Sequence, residues 1–443
     1  IDVAKVPLRE ADMEPFEVMV SESQERMLCV VEPANVERVL ALCEKWEVGG
    51  AAIGTVTDTS SMRVFDGGEL VGEMPVRALV DDCPLYDLEP VKPTRTPYAA
   101  PKATPLPPKE EPREILLALL ASPNIASRRP LFEQYDSVVQ SRTVRRPEQA
   151  DAAVLAVRPL DGSEHGAIPG IAVSIDCNGR RVAADPYTGT IAAALECASN
   201  LACVGAQPLG TTNNLNFGNP EKPHIAWQLT ESVRGLGDAC RALQAPIVGG
   251  NVSLYNEGAS AGPIYPTPVV GMVGKLPDVR RAGRSGFARA GDAIAIVGPF
   301  SPSLLAGELA KLRGEQLPDG LPPIDIEAVL ASQAAVRDGV RRGAIASAHD
   351  IAEGGLAVGL AECCLGGGLG AQVDLPLDID RLFGECSGTF IVSGEEAALR
   401  TLGERTSVEL IGTVQGESLI LGEIEISLAE LRHAHGALAE LFA

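Results

Sequence analysis

The spacing of apolar positions along this chain switches repeatedly between a helical and a strand-like period, and the switches mark out its elements. Val36, Val39, Leu40 and Cys43 recur at three and four residues, which predicts a helix over residues 35–46. Short β-like runs follow at 62–65 and 70–71. Further on, a helix is expected at 115–120 and strands at 152–157 and 171–175. A long helix at 188–204 places Ile191, Leu195 and Leu201 on one face, and an amphipathic helix covers 226–243. Pro246, Ile247 and Val248 read as a buried strand running into Gly249 and Gly250, and two β-like runs at 418–421 and 423–426 lie near the end. The alternation is α/β (α+β) rather than all-α.

A repeat organises these elements. Ile53-Gly54-Thr55-Val56 returns as Ile411-Gly412-Thr413-Val414. Each copy follows an acidic residue, a short apolar run (22–31 and 385–392) and a helical stretch, and each precedes two β-like runs. The shared order of strand, helix, strand and hairpin leads us to expect that the chain begins inside one copy of a repeated domain and ends with a full second copy. Prolines at 101, 105, 107 and 108 make residues 89–113 an extended linker, because proline at that density suits neither a helix interior nor a central strand. An Arg- and Gly-rich stretch near 276–291 marks a weaker boundary. The expected division is 1–88, the linker 89–113, then 114–275 and 276–443.

Charge narrows the function. With 37 Lys and Arg against 59 Asp and Glu, the net charge of −22 and the lack of a dense basic run argue against nucleic-acid binding. Apolar runs such as 292–298 fall well short of the ~20 residues of a bilayer-spanning helix, so no membrane segment is expected. The 10 cysteines form no C-x-x-C pair and no zinc-like cluster, and read as reduced core thiols of a cytoplasmic protein. The chain starts at Ile1 with no signal-like segment, which fits a piece of a longer precursor.

Three clusters carry candidate chemistry. Glu196 and Asn200 share a helix face one turn apart. With Asp176 at a strand end they are either part of a solvated surface or hard oxygen ligands for magnesium and its phosphates. The Asn-, Gly- and Pro-rich run 213–223 reads as a turn that could touch a ligand, and Gly249-Gly250-Asn251-Val252-Ser253 as a glycine turn that admits close phosphate approach. Neither is a Walker or Rossmann loop. In 347–362, polar residues and Gly354-Gly355 precede a helix. Asp350 there is either a metal ligand or, like Glu353, a helix cap, and His349 is a packed or hydrogen-bonding imidazole.

Taken together, the segments 21–27 (Ser-Glu-Ser-Gln-Glu-Arg-Met), Tyr135-Asp136, 185–189, 215–223 (Leu-Asn-Phe-Gly-Asn-Pro-Glu-Lys-Pro), 250–257 and 349–362 resemble the phosphoribosylformylglycinamidine synthase family. The likeness is to its small PurL subunits, in the superfamily that includes aminoimidazole ribonucleotide synthetase, and it covers nearly the whole chain. It implies a tandem-duplicated PurM-like architecture. Residues 1–88 would be the remainder of a first C-terminal-type domain, 114–275 a second N-terminal-type domain contributing to a shared β-barrel, and 276–443 a second C-terminal-type α/β domain. It implies formation of formylglycinamidine ribonucleotide from formylglycinamide ribonucleotide, ammonia and ATP through a phosphorylated amide, with Mg2+.

The same resemblance assigns roles by position. Glu22, Ser23, Gln24 and Ser253 would contact substrate, Asn213 and Gly250 ATP, and Asn251 magnesium. Asp176, Glu196, Asn200 and Asp350 would be the metal ligands of a second, auxiliary nucleotide site. Two departures bear on this: small members usually carry Asp at Asn213, and commonly Ser at Ala352, so a charge and a hydroxyl are lost. The family's catalytic histidine belongs to an N-terminal half outside this chain, so no catalytic residue is expected here and the chain alone should be inactive. The implied partners are that missing half, the PurQ glutaminase and PurS. Two other readings remain open from sequence: another ATP-dependent enzyme of the superfamily, or a non-catalytic nucleotide-binding scaffold.

Overall fold

The computed structural model describes residues 1–22, 26–83, 85–104, 111–157, 166–258 and 262–442. Ser23 and Gln24 lie outside the described residues. The chain divides into two compact units, Ile1–Asp87 and Leu88–Ala443.

In the first unit, α1 (Pro15–Val20) and α2 (Val36–Lys45) precede a hairpin of β1 (Ser61–Asp66) and β2 (Glu69–Pro75), followed by α3 (Val76–Val80). The chain start is tied to the hairpin: the Ile1 ammonium donates to the Arg63 carbonyl at 2.9 Å, and Phe65 N–H donates to the Ile1 carbonyl at 2.8 Å. Among the described residues of this unit, Val3 and Val18 are the buried hydrophobics. The predicted helix forms, yet none of its residues is buried, and Met27, Leu28 and Val30 are exposed.

The second unit contains two sheets. The first orders its six strands β3-β4-β5-β10-β6-β7: β3 (Thr143–Arg145), β4 (Ala153–Ala156), β5 (Gly170–Asp176), β6 (Gln207–Asn216), β7 (Ile247–Ser253) and β10 (Thr267–Leu276). The short β8 (Glu257–Gly258) and β9 (Gly262–Pro263) pair beside it. The second orders its seven strands β12-β14-β11-β15-β13-β16-β17: β11 (Ala293–Val297), β12 (Ser347–Asp350), β13 (Ala371–Val373), β14 (Phe390–Gly394), β15 (Val408–Val414), β16 (Ser418–Leu421) and β17 (Ile424–Ser427). The helices of this unit are α4 (Pro112–Leu120), α5 (Arg129–Phe132), α6 (Gly179–Ala184), α7 (Pro186–Cys203), α8 (Pro223–Leu243), α9 (Glu308–Leu312), α10 (Ile326–Arg342), α11 (Gly355–Gly367), α12 (Ile379–Phe383), α13 (Glu396–Arg400) and α14 (Leu428–His435).

The second sheet is covered on both faces. Ile294, Ile296 and Ile391 join a core with α4, α11 and α14, while Ala295, Val297, Phe390 and Val392 join another with α10. That is why its central strands read as continuous apolar runs. The first sheet is covered on one face only, where Ala172, Val270 and Met272 meet α7. Its other face exposes Ile171 (37%), Val173 (39%) and Ile175 (72%).

Several expectations shift against this architecture. Helix α7 was read as one-sided, but it is buried almost all round, because it packs against β5, β10, α8, α10 and β12 at once. Its small residues permit that crowding: a Cβ on Gly189 would lie 2.6 Å from Val182 N. Strand β7 was read as buried and is instead an exposed sheet edge, paired only with β6. The Asn-rich run from Asn213 was read as a turn, but Asn213–Asn216 complete β6, held between β10 and β7. Helix α4 follows the linker toward the first sheet in sequence, yet its Ile115, Leu116, Leu119 and Leu120 pack with the second.

The repeat is also only half realised. In the second copy the apolar run is β14 and the tetrapeptide ends β15, both hydrogen-bonded to β11. In the first copy residues 28–31 and 53–56 form no strand. A strand exists only through its neighbours, and nothing among the described residues of the first unit corresponds to β11 or β13. The repeated glycine has a steric reason: a Cβ on Gly412 would lie 2.1 Å from the Gln372 carbonyl oxygen of β13.

The described part of the proline-rich segment that precedes residue 105 is bonded to its surroundings. Val91 N–H donates to the Pro223 carbonyl at 3.0 Å, Tyr98 Oη to the Ile264 carbonyl at 3.0 Å, and Thr104 N–H to the Leu312 carbonyl at 2.8 Å. Gln316 Nε2 donates to the Tyr98 carbonyl at 2.8 Å. Proline has no N–H to donate, so the attachments are made by the N–H groups of Val91 and Thr104 and by the hydroxyl and carbonyl of Tyr98. Burial pushes the Tyr98 phenol up to about 12.

Two outcomes follow from this packing. Gly412→Ala should lower the unfolding free energy in urea by about 2 kcal/mol or more, because β13 and β15 must separate to admit the methyl. Tyr98→Ala should cost about 2 kcal/mol and speed proteolysis within residues 89–113, whereas Tyr98→Phe should cost only about 1 kcal/mol.

Candidate functional site

The first sheet aligns several predicted residues in one row. Asp176 of β5 pairs with Val270 of β10, Val270 with Asn213 of β6, and Asn213 with Gly250 of β7. Gly250 is needed there, since a Cβ would meet Asn213 Oδ1 at 2.8 Å. Two pairs further along β7, Asn251 Nδ2 donates to Asn214 Oδ1 at 3.3 Å, and Ser253, paired with Asn216, donates through Oγ to Asn256 Oδ1 at 3.2 Å. Gly250, Asn251 and Ser253 therefore lie on the edge strand β7, with Asn213 beside Gly250 on the neighbouring strand β6. Glu22 is an exposed residue of the first unit, with Arg26 bonded to neighbouring Ser21.

On the covered face the predicted metal residues meet. Ser174 Oγ donates to the Cys197 carbonyl at 2.9 Å and Cys197 Sγ to the Val270 carbonyl at 3.3 Å, which pins α7 across β5 and β10. Gln333 of α10 holds α7 from the other side, donating to the Leu195 carbonyl at 2.8 Å. Glu196 on α7 thereby faces Asp176 at the end of β5. Asn200 lies one turn further along α7, half-buried. Helix α7 also packs against β12, whose last residue is Asp350, so Asp350 reaches the same interior.

The electrostatics show how close these carboxylates are. Burial pushes the Asp176 carboxyl up to about 8, reinforced by Glu353 and opposed by Glu196 and Arg181. Burial, then Asp176, Glu353 and Asp350, raises Glu196 well above the usual carboxylate range. Burial and Asp151 raise Asp350 in the same way, with His349 opposing. Carboxylates desolvated together need protons or a cation among them.

Sequence reading missed several participants. Glu353 was read only as a cap, but its Oε1 accepts from Asn178 Nδ2 at 3.0 Å and its charge bears on Asp176 and Glu196. Neither Asp350 nor Glu353 caps α11; the Gly354 N–H donates to Glu385 Oε1 at 3.1 Å, so a protein carboxylate occupies that helix start. Glu385 also accepts from Glu308 N–H at 2.7 Å and from Arg181 Nη1 at 3.3 Å. Asp151 and Arg181 stand in no motif, and no spacing could have singled them out; Glu385 opens the second repeat copy, but the repeat carries no sign of this hydrogen-bonding role. His349 is, as read, a hydrogen-bonding imidazole: Nδ1 lies 2.8 Å from Asp151 and Nε2 3.0 Å from Glu362. Burial disfavours its charge, but Asp151 and Glu362 outweigh burial and hold its pKa well above the ordinary value.

At the turn from β5 into α6, buried polar atoms of both signs have no hydrogen-bond partner among the described residues: Asp176 Oδ1, the three guanidinium nitrogens of Arg180, and Arg181 Nε. Oxygen donors from Asp176, Glu196, Asn200 and Asp350 suit a hard divalent cation, and orphaned guanidinium nitrogens suit phosphate oxygens. The residues thus fit a magnesium-bound phosphate compound. The thiols are inert by comparison: Cys197, Cys203, Cys240, Cys363 and Cys364 are buried, although Cys29 and Cys83 are exposed.

The metal-free protein should lose stability as pH rises from about 4 to about 8. Asp176 holds its proton in the folded state up to about 8 but releases it near its ordinary value of 3.8 when unfolded. Folding therefore binds protons across that window, and rising pH opposes it. Thermal melting against pH in EDTA should show the decline, Mg2+ should flatten it, and Asp176→Asn should flatten it without metal.

Comparison with known proteins accounts for this arrangement. The model of the AIR synthase related protein N-terminal domain matches residues 149–276. The model of the corresponding C-terminal domain matches residues 1–67 and again 289–422. Phosphoribosylformylglycinamidine synthase subunit PurL of Moorella thermoacetica is 45% identical over 95% of this chain and 57% of its own length. That of Thermomicrobium roseum is 43% identical over 97% and 60%. The chain thus spans 57–60% of the length of these relatives. Among solved structures, T. maritima PurL complexed with ATP matches 94% of the chain and 59% of its own, with a TM-score of 0.57 and 26% identity. T. maritima PurL complexed with FGAR matches 94% and 57%, with a TM-score of 0.58 and 26% identity. PurLQS from Thermotoga maritima matches 94% and 59%, with a TM-score of 0.57 and 26% identity. From its tandem α/β domains to the level of identity, the chain belongs to the PurL family of phosphoribosylformylglycinamidine synthase subunits, among the AIR synthase related proteins.

Proposed function

We propose that this chain is the C-terminal part of a small-type PurL subunit. The whole protein uses ATP and ammonia to convert formylglycinamide ribonucleotide to formylglycinamidine ribonucleotide in purine biosynthesis. The observation that carries the nucleotide role is the set of orphaned buried atoms at the β5–α6 turn, with the carboxylates of Asp176, Glu196 and Asp350 beside it. The substrate role rests on kinship, including a relative complexed with FGAR. The parts of the chain are 1–88, 89–113, 114–275 and 276–443, with α4 packing across the third boundary.

Within this reading, Asp176, Glu196, Asn200 and Asp350 hold Mg2+ at an auxiliary nucleotide site, and Mg2+ supplies neutralisation of phosphoryl charge. Asn213 of β6 and Gly250 of β7 contact ATP, Asn251 serves magnesium there, Ser253 is a substrate contact, and Glu22, Ser23 and Gln24 of the first unit are substrate-contacting residues in their own right. Asn213 is neutral, so it donates or accepts a hydrogen bond but adds no charge for a cation. The open face bearing Ile171, Val173 and Ile175 is covered by the N-terminal half of PurL, which also brings the catalytic histidine. Ammonia comes from a PurQ-type glutaminase with PurS, in keeping with PurLQS among the relatives, and the enzyme works in the cytoplasm. No helix of the described residues is long and apolar enough to cross a membrane.

The test is an assay of ADP release with formylglycinamide ribonucleotide, ATP and ammonium. The chain alone should release no ADP, and adding the N-terminal half of a PurL subunit should restore ammonia-dependent release. Ammonia-dependent turnover by the chain alone would place catalytic groups within these residues and refute the reading. Binding is read separately. Saturating ATP with Mg2+ should raise the melting temperature of the chain, by about 2.7 kcal/mol of added stability at 100 times Kd, and Asp176→Ala should remove that gain.

A further inference from the structure

Asp151, His349 and Asp350 bring their ligand atoms within 4.8 Å of one another, close enough to suggest a second metal centre. Their donors, however, are already spent on each other. Asp151 Oδ1 faces His349 Nδ1 at 2.8 Å, and Asp151 Oδ2 accepts the Asp350 backbone N–H at 3.0 Å. The far ring nitrogen of His349 faces Glu362 Oε2 of α11 at 3.0 Å. Both ring nitrogens thus meet carboxylate oxygens, which hold the imidazole from two sides. Asp151 precedes β4 of the first sheet, while His349 and Asp350 end β12 of the second.

We propose that Asp151 and His349, braced by Glu362, are positioning residues that set Asp350 toward the acidic cluster and so fix the cation affinity of the site. The inference rests on the reading that the cluster takes a divalent cation. One oxygen of Asp151 orients the imidazole and the other fixes the peptide of Asp350, so backbone and side chain of the ligand-bearing turn are clamped from the opposite domain. The clamp supplies rigidity rather than charge. Its own charges would act in opposite directions: imidazolium, with Nδ1 3.9 Å from Asp350 Oδ1, repels a cation, whereas Asp151 attracts one.

That opposition gives the test. Mn2+ is titrated into the full chain and its free signal followed by electron paramagnetic resonance, for wild type, His349→Gln, Asp151→Asn and Glu196→Gln. If the pair positions Asp350, both His349→Gln and Asp151→Asn weaken Mn2+ binding by about 10-fold or more and broaden the bound signal. If the two act only through their charge, His349→Gln binds Mn2+ as tightly or more tightly while Asp151→Asn binds more weakly, and the proposal is overturned. Should His349→Gln not fold, Glu362→Gln, which removes the brace and keeps the imidazole, must weaken binding in its place; unchanged affinity overturns the proposal. Wild type that does not saturate, with Glu196→Gln indistinguishable from it, overturns the cation reading and this inference together, whereas loss confined to Glu196→Gln overturns the positioning role alone.

Discussion

Gathering carboxylates inside a protein is expensive, and the junction between the two sheets of the second unit is organised around that expense. Burial raises the pKa of Asp176, Glu196 and Asp350, and the charge of Glu353 adds to the rise in all three. Each comes from a different element: the end of β5, the middle of α7, the end of β12 and the turn before α11. They can converge only because α7 threads between both sheets, and α7 can do so because it is built from alanines, glycine and short polar residues. Two of the cations nearby are already engaged, whereas the Arg180 guanidinium has no hydrogen-bond partner among the described residues. Arg181 is bonded to Glu385 and His349 lies between Asp151 and Glu362. A site with so much uncompensated negative charge and orphaned guanidinium nitrogens beside it is complementary to a metal-bound phosphate.

The same molecule presents surfaces that look unfinished. The open face of the first sheet exposes Ile171, Val173 and Ile175, and its edge strand β7 is exposed along nearly its whole length. In the first unit, α2 is amphipathic with nothing buried beneath it, and the repeated tetrapeptide makes no strand. A soluble monomer seldom leaves apolar sheet faces and unpaired strand edges in water. These features agree with a chain that spans 57% of a 45%-identical relative.

Local pattern was a sound guide wherever an element is stabilised by its own residues. The helix 35–46 appears as α2, the amphipathic helix 226–243 as α8, and the hairpin runs of both repeat copies as β1–β2 and β16–β17. Local pattern failed where a neighbour decides. Asn213–Asn216 looks like a turn but is drawn into β6 by β10 and β7; residues 246–248 look buried, yet no strand lies beyond them. Helix α4 looks like the start of one domain and packs in another, because its apolar face fits α11 and α14.

By itself the sequence determined the family, the α/β class, the repeat, and the grouping of polar side chains at short spacing: Asp176, Glu196 and Asn200 at one strand end and helix face, and His349-Asp350 before a double glycine. These are properties of short segments, where neighbours along the chain set the geometry. Only the tertiary structure brought Glu353 and Arg181 to the carboxylates, gave Glu385 the helix start that Asp350 and Glu353 leave uncapped, and set Asp151, from the loop before β4, against His349 almost two hundred residues away. Coulomb interaction and desolvation depend on distance in space and on exclusion of water, and neither is written in the order of residues.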